Sequence, residues 1–230
     1  MRILSILAML CLLSPAALAD ELADFTAAIG DAGAQNRAAI GALQSGNFEL
    51  AEMELDRLRA AWRDVSERKR PAAFKDVALY TTVMTDVATR LVSADMMLKF
   101  GRPDVAHTAL AGIRDNLYDL RKSAGIVVLE DCVRDANSAM AALAAEEDRA
   151  RDTGSADLVT KTQHYADTLA RCDSIAGPAK DDRAFRDLID GAKANLALLS
   201  KAVAAGDTGL FRQALKELRA LDALLALRFG

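Results

Sequence analysis

Residues 46–65 read GNFELAEMELDRLRAAWRDV, and the same arrangement returns at 101–120 as GRPDVAHTALAGIRDNLYDL and at 206–225 as GDTGLFRQALKELRALDALL. In each, a polar break with a glycine is followed by apolar residues five, nine, twelve and nineteen positions on. These are Ala51, Leu55, Leu58 and Val65, then Ala106, Leu110, Ile113 and Leu120, then Phe211, Leu215, Leu218 and Leu225. Such offsets fall on one face of a helix. A fourth, more divergent copy is anchored at Thr153, beside Gly154, and carries Leu158, Thr162, Tyr165 and Cys172. The anchors Gly46, Gly101, Thr153 and Gly206 are spaced by 55, 52 and 53 residues. At the sixteenth offset Trp62, Leu117 and Leu169 agree, whereas Asp222 breaks the pattern.

A glycine can end one helix and the polar residue after it can cap the next, so every anchor marks a turn. A second helical pattern lies upstream of each, for example Val83, Val87, Leu91, Ala94 and Leu98. The repeating unit is therefore an antiparallel helical hairpin. Lys69-Arg70-Pro71, Ser123-Ala124-Gly125 and Gly177-Pro178 separate successive units. Helices are expected at 21–44, 47–68, 73–99, 103–123, 128–151, 155–173, 181–205 and 207–228. The fold class is all-α, with one pair of hairpins in 20–125 and another in 126–230. Two four-helix-bundle-like halves or one continuous array satisfy this pattern, and the lack of a flexible linker tips the choice slightly toward one array. The apolar run Ile126-Val127-Val128-Leu129 reads as a buried link between the halves. The period is longer than that of tetratricopeptide, ankyrin or typical HEAT units.

At the N-terminus Arg2 precedes an apolar run from Ile3 to Leu13, then Ser14-Pro15 and Ala17-Leu18-Ala19. This is the pattern of a secretory signal peptide, residues 1–19, cleaved before Asp20. The run is too short to span a bilayer. Leu10 occupies the position before Cys11 where lipid attachment needs a small residue, which places Cys11 within the apolar run. A short leader with one arginine fits a bacterial periplasm.

Without the leader the charge balance is 28 basic to 33 acidic residues, so the surface is mildly acidic. That balance argues against nucleic acid and anionic lipid as partners. No later stretch is apolar enough to cross a membrane. The chain beyond the leader keeps two cysteines, Cys132 and Cys172. They lie 21 residues before and 19 after the Thr153 turn, which places them side by side in an antiparallel hairpin. In an oxidising compartment an even pair at matched depth predicts a disulfide.

The candidate metal ligands are His107 and His164 with the methionines Met53, Met84, Met96, Met97 and Met140. The chain has no His-x-x-x-His, Glu-x-x-His or Cys-x-x-Cys-His spacing of the kinds that build such sites. Glu130-Asp131, Glu146-Glu147-Asp148 and Asp181-Asp182 are acidic clusters, and most acidic clusters sit near helix starts, where carboxylates complement the dipole. No nucleophile elbow, phosphate loop or zinc-protease helix appears, so an enzyme is not expected. The C-terminus, with Leu224, Leu227 and Phe229, is unusually apolar and is expected to dock on the array or meet a partner. Trp62 occupies a core position, and Arg68-Lys69-Arg70 reads as a solvated turn. Two functional readings follow: a non-enzymatic periplasmic interaction or adaptor module for another protein or peptide, or a carrier or sensor holding a transition metal or small ligand between helices.

Overall fold

The computed structural model describes residues 15–147 and 156–230. Most of the leader, including Cys11, and the Thr153 anchor lie outside the described residues. The helices are α1 (Pro15–Gln44), α2 (Phe48–Glu67), α3 (Val77–Lys99), α4 (Pro103–Ser123), α5 (Leu129–Ala144), α6 (Ala156–Ile175), α7 (Arg183–Ala205) and α8 (Thr208–Phe229). A 3-10 turn, Gly177–Asp181, precedes α7. Among the described residues there is no strand.

The anchors work as turns for the expected reason. Gly206 closes α7 at φ +66°, and its N–H bonds back to the carbonyls of Ala202 and Val203. Gly46 and Gly101 also have positive φ, +73° and +66°, where a Cβ would strain the backbone. The residues that follow supply caps. Asn47 accepts from the Leu50 N–H at 3.1 Å, and Asp207 accepts from the Leu210 N–H at 2.9 Å. Asp182 caps α7 through the Ala184 N–H at 2.7 Å.

The chain divides into two compact units, one ending at Ala124 and one beginning at Gly125. In the first, α1 packs on α2, α2 on α3, α3 on α4, and α4 back on α1, which closes an up-down-up-down four-helix bundle. Phe25 and Ile29, Leu55, Leu58 and Trp62, Val87 and Leu91, and Leu110, Ile113 and Leu117 fill its interior. Full burial of each such side chain contributes about 1.5–3 kcal/mol. In the second unit α5 packs on α6, α6 on α7, α7 on α8, and α8 on α5. Its core joins Val133 and Met140, Leu158, Tyr165 and Leu169, Phe185, Ile189 and Leu199, and Phe211, Leu215, Leu218 and Leu225. Each half of the chain thus has its own closed interior, and the repeat offsets supply the buried face of α2, α4, α6 and α8.

Three local expectations are corrected. Helix α3 starts at Val77 rather than at 73, because Phe74 is buried in the preceding turn and Asp76 caps the helix through the Leu79 N–H. The Phe74 ring meets Phe25 at 5.2 Å and Tyr80 at 5.7 Å between centroids, and this packing outweighs helix propensity. Helix α5 stops at Ala144, short of 151, where a turn buries Glu146 against Lys161 at 2.5 Å. The run Ile126–Leu129 is not a buried link. Val127 is 65% exposed and its neighbours are half-buried, and of the four only Leu129 packs on the core of the second bundle.

Candidate functional site

Cys132 lies in the first turn of α5 and Cys172 near the end of α6, and the two form a disulfide with a Cα–Cα separation of 5.4 Å. Both are essentially inaccessible. The bridge ties α5 to α6 at the end away from their connection, where an antiparallel pair frays first. It is a structural element rather than a reactive one.

The histidines stand apart. His107 on α4 is half-buried, and its Nε2 lies 3.3 Å from Nε2 of Gln44 on α1. His164 on α6 is exposed. On α3 Met96 is 46% exposed and its neighbour Met97 half-buried, as adjacency on a helix requires. Met53 and Met84 lie at the surface or half-buried, while Met140 is core. Among the described residues no three of His, Cys, Asp and Glu come together in a way that would hold a metal ion.

The apolar C-terminus divides by helical phase. Phe229 is half-buried and meets Phe185 edge-on at 5.1 Å, and Leu225 is core, while Leu224 and Leu227 are about half exposed. A more continuous apolar face lies on α3. Val92 and Met96, with Phe100 just past the end of the helix, recur every four residues at 55, 46 and 70% exposure, on the side opposite the buried Val87, Leu91, Ala94 and Leu98.

The interior of the second bundle holds the acid that breaks the repeat at the sixteenth offset. Asp222 of α8 is only 2% exposed. Its Oδ2 accepts a hydrogen bond from Asn137 Nδ2 of α5 at 2.7 Å, and its Oδ1 accepts from the Tyr165 hydroxyl of α6 at 3.1 Å. Burial raises its carboxyl above the ordinary carboxylate range, and the two hydrogen bonds pull the other way. Burial, followed by the charge of Asp222 and the hydrogen bond to it, pushes the Tyr165 hydroxyl far above its usual value, so it remains a donor. The triad joins three helices through one polar layer. Asp222 was visible in the sequence as an acid at an apolar offset, and Tyr165 as a polar-tipped residue at another. Asn137 gave no signal, because nothing in its local pattern shows which helix faces it.

Two surface grooves lie beside the helices. One of about 530 Å³ runs between α5 and α6, lined by Asp135, Ser138, His164, Asp167 and Arg171, with Arg171 paired to Asp135 at 2.8 Å. The other, of about 410 Å³, runs between α3 and α4 and is lined by Asp86, Arg90, Ser93, Val105, Thr108 and Ala109. No family model, curated protein or solved structure matches the chain.

Proposed function

We propose that this protein is a non-enzymatic interaction or adaptor module of the bacterial periplasm, exported by residues 1–19 and held rigid so that one helix face can meet another protein or a peptide. The observation that carries the reading is the α3 face: three large apolar side chains in helical register, each about half exposed or more, on a bundle whose other apolar residues are mostly enclosed. Contiguous apolar surface of that kind is costly in water and is relieved when a partner helix or strand covers it. The disulfide supports an oxidising compartment, and no helix among the described residues is long and apolar enough to cross a membrane.

A photoreactive amino acid placed at Met96 in the native host tests this. Discrete protein adducts at Met96, absent when the probe sits at exposed Lys201, are the expected result. Equal labelling at both sites removes the reading. N-terminal sequencing of the exported protein is expected to begin at Asp20.

A further inference from the structure

We infer that the groove between α3 and α4 is a binding site for the oxyanion group of a small solute, a carboxylate or a phosphate, and that Arg90 is its receptor. On α4 the groove is lined by Val105, Thr108 and Ala109, side chains too short to fill the space beside α3. Gly112 is the decisive position. A Cβ there would collide with Nη1 and Cζ of Arg90, so the guanidinium lies flat against the α4 backbone only because the residue is glycine. Asn116, one turn further along α4, fixes the other edge of the same group: its Oδ1 accepts from Arg90 Nε at 2.9 Å.

The guanidinium is thereby oriented but not neutralised. Its Nε is used, and among the described residues no acceptor takes Nη1 or Nη2. Asp86, one turn before Arg90, does not pair with it and makes only a 3.5 Å contact with the Asn116 amide. Asn116 stands between that carboxylate and the cation, so the anionic end of the groove is separated from the cationic one. On the other side of Arg90, toward the α3–α4 connection, Ser93 lines the same groove with a hydroxyl that donates to no described group. The hydroxyls of Thr89 and Thr108 already donate to the carbonyls of Thr85 and Asp104, and they shape the walls rather than bind.

A half-buried arginine held in place at its Nε, lining one groove of about 410 Å³ together with Ser93, offers the planar fork that suits a carboxylate or one face of a phosphate. The volume is that of a small-molecule site. The inference stands independently of the partner face on α3: a solute can fill the groove whether or not another protein covers Met96.

The test is titration of the isotopically labelled full-length protein with acetate and, separately, inorganic phosphate at constant ionic strength, with chloride as control. Amide signals of Ser93, Gly112 and Thr108 and the Arg90 side-chain signal are followed by NMR. Saturable shifts with acetate alone identify a carboxylate site, with phosphate alone a phosphate site, and with both an oxyanion site of low selectivity. Two variants check the assignment, each first shown to melt cooperatively. Arg90→Met removes the charge, and Gly112→Ala lifts the guanidinium from its seat while leaving the charge in place. Each is expected to weaken the apparent affinity at least tenfold. Saturation with neither anion, or wild-type affinity retained in either variant, overturns the proposal.

Discussion

Replacing Asp222 with asparagine tests the account of the second bundle most directly. The carboxylate is 2% exposed and is held by an amide and a hydroxyl rather than by a cation. Taking an ionised carboxylate out of water costs several kcal/mol even after relaxation, the two hydrogen bonds offset most of that, and the raised pKa shows that burial wins, so the ionised form carries a net penalty on the order of 1–2 kcal/mol. Because its folded-state pKa is raised, Asp222 contributes stability that is fully present below the unfolded-chain value near 3.8 and is lost as pH rises through the folded-state value. Asp222→Asn keeps the size and an acceptor for Tyr165, and rotation of the Asn137 amide turns its oxygen toward the new NH2 group. The variant is therefore expected to be more stable than wild type by about 1–2 kcal/mol at pH 7, with the gain shrinking toward zero as the pH falls to about 4. Urea unfolding of both proteins at unit steps from pH 4 to pH 8 measures this. A variant less stable than wild type at pH 7, or a difference that is flat with pH, would refute the argument.

Other perturbations address the remaining elements. Reducing the Cys132–Cys172 bridge, or replacing both cysteines with serine, frees a loop with a sequence separation of 40. That is expected to lower stability by about 4 kcal/mol on loop-entropy grounds, read as a lower melting temperature under reducing conditions. Phe229→Ala removes the edge-on contact with Phe185 and is expected to cost about 2 kcal/mol in chemical denaturation, the half-buried ring giving less than a full core deletion. Asp207→Ala leaves the Leu210 N–H without its cap and is expected to cost about 1 kcal/mol by the same assay. Gly206→Ala forces a Cβ onto a backbone with φ +66° and is expected to destabilise by about 1 kcal/mol or more.

The helices, the hairpins and the pairing of Cys132 with Cys172 were all legible in the amino-acid order. Each depends on spacing along one chain: apolar residues at helical offsets, a glycine at the described turns within hairpins, and two cysteines at matched depth from one turn. The same spacing marked Asp222 as an exception, although not what it would meet. Only the tertiary structure brought Asn137 and Tyr165 to that carboxylate, closed α4 on α1 and α8 on α5, and seated Arg90 on Gly112. It also decided that Phe74 stays in a turn and that Val127 stays in water. Periodicity determines which face of a helix is apolar, because that follows from 3.6 residues per turn. Which neighbour covers a face, and which side chains then meet across it, is set by how the helices close around a shared core, and no local pattern carries that information.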